Sequence, residues 1–232
     1  DNYNEHLMEQ LADAGDGNYA YIDNLREARK VLVDQLGSTL AVVAKNVKLQ
    51  VEFNPAQVSE YRLLGYENRA LKREDFSNDK VDAGEIGAGH TVTALYEIVP
   101  KGEKGWLEPL RYGQSESVVS GNAGELAMLR VRYQLPEGGN SRLIERPIAG
   151  GSQGNASDDL RFAAAVAAFS QQLKDGRYTG DFSLKDTETL ARGARGDDRF
   201  GLRAEFVQLV ELAQSLRTTT ASNSEPQKGG YN

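Results

Sequence analysis

The spacing of hydrophobic residues changes twice along the chain, and those changes divide it. Leu7, Met8, Leu11 and Ala14 recur at steps of three and four, as one face of a short helix does. Gly15 and Gly17 follow, and glycine supplies the backbone angles of a helix exit. Residues 18–22, with Tyr19, Tyr21 and Ile22, read as a brief strand. Asp23 or Asn24 then caps a helix by accepting a bond from a free backbone N–H, and Leu25, Ala28, Val31, Leu32 and Leu36 carry that helix toward Gly37. From residue 47 the period falls to two. Val47, Leu49, Val51 and Phe53 point one way and Lys48, Gln50 and Glu52 the other, which predicts an antiparallel strand with one dry and one wet face. Further strands are expected at 61–66, 91–99, 125–135 and 141–148. Glycine-rich connections join them, as in a β-sandwich of about 100 residues. The loop 113–124 is polar and expected to move. Past residue 150 helical spacing returns. Ser157 or Asp158 caps a helix with the stripe Phe162, Val166, Phe169 and Leu173; residues 186–192 form a short helix. A last helix over 199–216 places Leu202, Phe206, Leu209, Val210, Ala213 and Leu216 on one side.

The pattern predicts an α+β chain: an antiparallel β-sandwich at 47–150, a helical region at 151–217 packing on it, a helix–strand–helix piece at 1–46, and a Thr/Ser/Asn/Gly-rich tail at 218–232 expected to be disordered. Leu, Ile, Val and Phe make up 53 of 232 residues, enough for a packed core. The net charge is −7, and an anionic surface is ill suited to binding phosphate backbones, so no nucleic-acid partner is expected. No apolar run approaches the roughly 20 residues of a membrane span, and the acidic start does not read as a signal sequence. Cysteine is absent, which excludes disulfides, thiolate catalysis and cysteine zinc sites. The two histidines, His6 and His90, lie far apart in sequence, so a histidine-rich metal site is excluded as well.

The densest polar cluster runs from Asp75 to His90 and holds Asp75, Asp79, Asp82 and Glu85. A calcium loop places oxygen ligands at positions 1, 3 and 5 with glycine at 6, and this spacing does not fit. An acidic, solvated connection with tight turns at Gly84, Gly87 and Gly89 is the simpler reading; a carboxylate/His pair for hydrolysis, or a structural cation site, are its alternatives. The order of Gly84, Gly87 and Gly89 leads into a strand rather than a helix, so it is no phosphate cradle. Ser77 and Lys80 match a serine–lysine spacing, but the companion elements of that chemistry are missing. Arg195-Gly196-Asp197 reads as the approach to a helix. The pairs Asp158/Asp159 and Asp197/Asp198 precede helices, where negative charge complements the helix dipole.

Three segments are recognisable. Leu7–Leu36 resembles the closing helix–strand–helix of a bacterial von Willebrand factor A domain. Val47–Leu71, Asp82–Pro100 and Arg203–Ala213 resemble the region that follows that domain in an envelope-associated bacterial family. The resemblance implies a remnant of an α/β A domain at 1–46, then a follower domain that acts by protein contact rather than catalysis, in the periplasm or cell envelope. A-domain metal sites use D-x-S-x-S, which this chain lacks; the resemblance places any divalent cation upstream, and no cofactor is expected within the chain. Tyr66, Glu67, Asn68 and Arg69, beside a strand end, and Asp82, Glu85 and His90, in the acidic loop, are the candidates for contact with a protein partner.

Overall fold

The computed structural model describes residues 3–15, 17, 19–34, 40–65, 70–81, 83–108, 124–151, 154–174 and 176–223. The α+β class forms as expected, with antiparallel strands in the middle of the chain and helices at its end. Two compact units share the chain: the first takes residues 1–61, 68–93 and 98–150, the second 62–67, 94–97 and 151–232.

The first unit opens with α1 (Glu5–Ala14) and α2 (Leu25–Arg29), the latter continued by one π turn over Lys30–Asp34. Asn24 is the cap of α2, its side-chain oxygen accepting the Glu27 N–H at 2.9 Å. The strand expected before it does not form: residues 19–23 have no ladder. A lone strand has no neighbour to take its backbone N–H and C=O groups. Local contacts hold this stretch instead, with the rings of Tyr3 and Tyr21 4.5 Å apart and the Tyr19 hydroxyl donating to Glu5 at 3.2 Å.

Among the described residues six strands follow: β1 (Val42–Phe53), β2 (Val58–Leu64), β3 (Gly84–Gly87), β4 (Leu95–Pro100), β5 (Glu125–Gln134) and β6 (Arg142–Ala149). Four of them make one antiparallel sheet in the order β3-β1-β5-β6. The short β3 had no sequence signal, because Gly84 and Gly87 bracket only two side chains. Register aligns Leu49–Val131–Ile144, Val51–Leu129–Arg146 and Phe53–Ala127–Ile148 as rows on one face. Lys48–Arg132–Leu143 and Gln50–Arg130–Glu145 are rows on the other. On that polar face Arg130 bridges Glu52 at 2.6 Å and Glu145 at 2.9 Å, and these two bonds raise its pKa. A bulge interrupts β1 at Asn46, whose φ of 49° lies in the left-handed region that asparagine tolerates.

β2 and β4 form a separate ribbon, in which Ser59 lies opposite Val99 and Arg62 opposite Glu97. Beside it, the Glu60 carboxylate accepts the backbone N–H groups of Trp106 at 2.8 Å and Leu107 at 3.2 Å. A Cβ at 105 would stand 1.9 Å from Glu60 Oε1, so any other residue there has to push that carboxylate aside. Gly105→Ala is therefore expected to expel the carboxylate and leave two N–H groups unmet, at a cost of about 1–2 kcal/mol. A lower urea midpoint together with a shifted Trp106 emission maximum is the measurement; an unchanged midpoint refutes it.

In the second unit α3 (Asp158–Lys174), α4 (Leu184–Gly193) and α5 (Leu202–Asn223) pack in succession. Ser157 caps α3 by accepting the Leu160 N–H, and Ser183 with Asp186 makes a reciprocal capping box on α4. The Asp186 carboxyl is held below its usual pKa by the Ser183 hydroxyl and N–H. Ala165, Ala191 and Val207 form the core, covered by Phe162, Leu190 and Phe206. Phe206 meets Phe162 and Phe169 edge to face, at 5.3 and 5.4 Å. Arg62 lies over the Tyr178 ring at 4.1 Å and bonds Glu97, a cation–π contact and an ion pair through one guanidinium. α5 runs past the expected break at 217 to Asn223; residues 224–232 and the loop 109–123 lie outside the described residues.

Candidate functional site

The acidic run starting at Asp75 is clamped onto the sheet. Arg73–Ser77 make one 3-10 turn with Phe76 buried. Beneath it, Lys48 is only 2% exposed. Its ammonium donates to the carbonyl of Asp75 at 3.2 Å and to that of Asn78. The Asp79 carboxylate accepts Arg132 Nε and Ser141 Oγ, both at 3.0 Å, and its pKa falls through those bonds, the one from Arg132 first. Carbonyls and carboxylate thus converge on two cations of one cross-strand row, Lys48 and Arg132. The stretch 73–80 is a cover over the polar face.

Of the contact candidates, Glu85 sits on β3 with its carboxylate 3.5 Å from the Lys45 ammonium. His90 follows the turn after β3, its N–H bonded to the Gly87 carbonyl at 3.1 Å. Tyr66, Glu67, Asn68, Arg69 and Asp82 lie outside the described residues. Among the described residues no three His, Asp or Glu side chains converge as a metal site. Two clefts open in the second unit, of about 350 Å³ beside Gln172, Phe182 and Arg217 and about 640 Å³ beside Asp158, Asp197 and Phe200. Neither Glu85 nor His90 lines either cleft. The second cleft is bordered by Arg195-Gly196-Asp197, where Arg203 donates to the carbonyls of Ala194 and Arg195 and Asp198 accepts the N–H groups of Arg203 and Ala204. That is a helix approach, as its sequence suggested.

Apolar surface is where the chain is distinctive. On β1, a strand with neighbours on both sides, Leu49 is 42% exposed. In the same row Ile144 is 52% exposed. At the front, Leu7, Leu11, Tyr21, Ile22, Leu25, Leu32 and Val33 are all exposed, Leu25 by 87%. No residue of α1 or α2 belongs to the described buried core.

The family model described as "Uncharacterized protein YfbK, C-terminal" matches residues 38–216. The chain belongs to the YfbK C-terminal family. It is 46% identical over 216 residues to "Uncharacterized protein YfbK" of Escherichia coli (strain K12). The match covers 93% of this chain and 37% of the E. coli protein, so the chain spans a little over a third of that relative's length. No solved structure matches. The YfbK C-terminal match begins four residues ahead of β1 and takes in every strand, α3, α4 and most of α5, whereas α1 and α2 precede it. No helix among the described residues is long and apolar enough to cross a membrane.

Proposed function

We propose that the chain is a non-catalytic protein-interaction or assembly module of a bacterial envelope protein, and that residues 1–46 are the closing piece of a von Willebrand A domain whose remainder lies in the longer protein. The observation that carries this reading is the row of exposed apolar residues from Leu7 to Val33. Helices bury an apolar face in a folded protein, and α1 and α2 leave theirs open. The start of the family match at residue 38 supports a boundary close behind them. On this reading the front helices close a neighbouring α/β body, any divalent cation belongs to that body, and residues from 47 onward carry the contacts with protein partners in the periplasm or envelope. Tyr66, Glu67, Asn68, Arg69, Asp82, Glu85 and His90 remain the first side chains to substitute in that search.

Hydrogen exchange tests the boundary. In the chain alone, amides of α1 and α2 are expected to exchange faster than those of β1 and β5. In the longer protein that includes the preceding residues, the same amides should become at least tenfold more protected. Equal exchange in both forms sinks the reading.

A further inference from the structure

We propose that the open apolar face of the four-stranded sheet binds an acidic amphipathic helix of a protein partner. The proposal deepens the interaction-module reading and rests on it. A covered sheet is expected to bury its apolar side, and here part of the polar side is covered while one end of the apolar side is open. Lys48 on the polar side is buried under the 73–80 stretch, while Leu49, its neighbour in sequence, stands exposed on the other side. The rows Leu49–Val131–Ile144 and Val51–Leu129–Arg146 therefore form an apolar surface whose Leu49–Ile144 end is exposed. At the Phe53–Ala127 end the face is closed, with Ala127 buried and Phe53 stacked 4.6 Å from Tyr61.

Charge identifies the occupant. Along β6 the residues on this face are Arg142, Ile144, Arg146 and Ile148, a basic residue before each isoleucine. All four are exposed, and neither arginine has an ion-pair partner among the described residues. Arginines on the polar face behave otherwise: Arg130 and Arg132 are both bonded to carboxylates. A chain of net charge −7 thus places two unneutralised cations around its open apolar rows, and the complement is apolar with carboxylates. Its form follows from geometry. The outer edge of β6 is a poor template for an added strand, because Pro147 has no N–H and charged side chains flank it. The broad face instead suits a helix, the usual cover of a sheet. Arg142 and Arg146 are four residues apart, roughly 13 Å along a strand. A helix lying along β6 keeps two side chains on one side when they are about seven residues apart, a rise of roughly 10.5 Å. The long arginine side chains bridge the remainder, so the partner's carboxylates should be some seven positions apart, beside a leucine-type stripe.

The test uses the whole chain and two designed helical peptides of about twenty residues. One carries leucines at three- and four-residue spacing with two glutamates about seven apart on the same side of the helix; the other has lysines in their place. Fluorescence anisotropy is expected to show the glutamate peptide binding at least tenfold tighter than the lysine peptide, and Arg142→Glu/Arg146→Glu is expected to reverse that preference. Both positions lie on an exposed strand, and an unchanged circular dichroism spectrum establishes that the variant folds. Equal affinity for the two peptides, a preference unchanged in the variant, or no binding overturns the proposal. So does capture by phosphatidylglycerol vesicles in place of the peptide, or a dimer of the chain that the variant abolishes. Exchange protection of α1 and α2 in the longer protein is read separately and does not depend on Arg142 or Arg146, so either idea can fail without the other.

Discussion

Lys48→Met is expected to lower the stability of the first unit by about 3 kcal/mol, more than the loss of an ordinary surface lysine. Methionine keeps most of the aliphatic stem, so the packing of the buried chain changes little. The ammonium goes, and with it the donor to the Asp75 and Asn78 carbonyls. Each carbonyl keeps one backbone donor, the N–H of Asn78 for Asp75 and that of Val81 for Asn78. The loss is therefore that of two hydrogen bonds from a charged donor, about 3 kcal/mol in all. The second consequence is local. Without the lysine, the 73–80 stretch keeps, among the described residues, the Arg132 and Ser141 bonds to Asp79 and the burial of Phe76. Amides near Asn78 should then exchange faster than those of β1 itself. A urea midpoint within error of the wild type shows that water replaces the ammonium and that the stretch is not clamped by it. Lys48→Arg separates charge from shape: a guanidinium carries the charge but not the compact geometry, and only partial recovery is expected.

The same residue shows where sequence reasoning stops. Alternation from Val47 to Phe53 correctly located β1 and its two faces, because period two is a property of the strand itself. Which face is buried depends on what lies over it, and a segment some 25 residues away, between Arg73 and Lys80, decides that. Nothing in the local pattern of β1 encodes it. Helix α3 shows a related displacement. Its hydrophobic spacing points to a stripe through Val166 and Leu173, yet both are exposed, and the buried positions are Ala165 and Gln172. Small alanines allow α4 to approach closely, and Gln172 is drawn inward by bonds it makes to the Phe182 carbonyl at 2.7 Å and from the Thr187 hydroxyl at 3.0 Å. Likewise, α5 buries Val207 and Val210 and leaves Leu209 and Leu216 out. Hydrophobic spacing located each helix; the rotation of each was set by its neighbours.

Caps and turns were legible for the opposite reason. Asn24, Ser157 and Asp198 act on groups three to six residues away, so the necessary chemistry lies within one short window. The candidate site fell between these cases. Glu85 and His90 were visible as polar residues in a glycine-rich stretch, but the cross-strand partner of Glu85, Lys45, is forty residues earlier. Arg142 and Arg146 are not legible in the sequence, since two arginines in an edge strand look like ordinary surface charge until their faces and partners are known.

Glu188 was equally silent in sequence, and it carries the other large effect. It is 7% exposed between α4 and α5, and its carboxylate accepts Gln214 at 3.0 Å, Lys185 at 2.9 Å and Arg192 at 2.9 Å. Those three donors, Gln214 first, bring its pKa down from 4.5 to about 2. Arg192 is raised in return by Glu188 and Glu211. A carboxyl whose folded pKa lies below its unfolded one binds its proton more readily in the unfolded chain. Its stabilisation is complete above pH 4.5 and disappears as pH falls through the folded value, so the window runs from 4.5 down to about 2. Within it the slope approaches 1.4 kcal/mol per pH unit for the single proton, or about 3 kcal/mol in all. Glu188→Gln cannot lose that charge again. At pH 7 the variant is expected to unfold about 2–3 kcal/mol more easily, because Lys185 and Arg192 lose their acceptor. At pH 2, where the wild-type carboxyl is itself close to half protonated, the difference should shrink to less than half. Comparing the two proteins at each pH cancels the titration of every other acid. A gap in urea midpoint that stays constant from pH 7 to pH 2 means the destabilisation comes from lost shape or packing at position 188, and the carboxylate is then not the tie between α4 and α5.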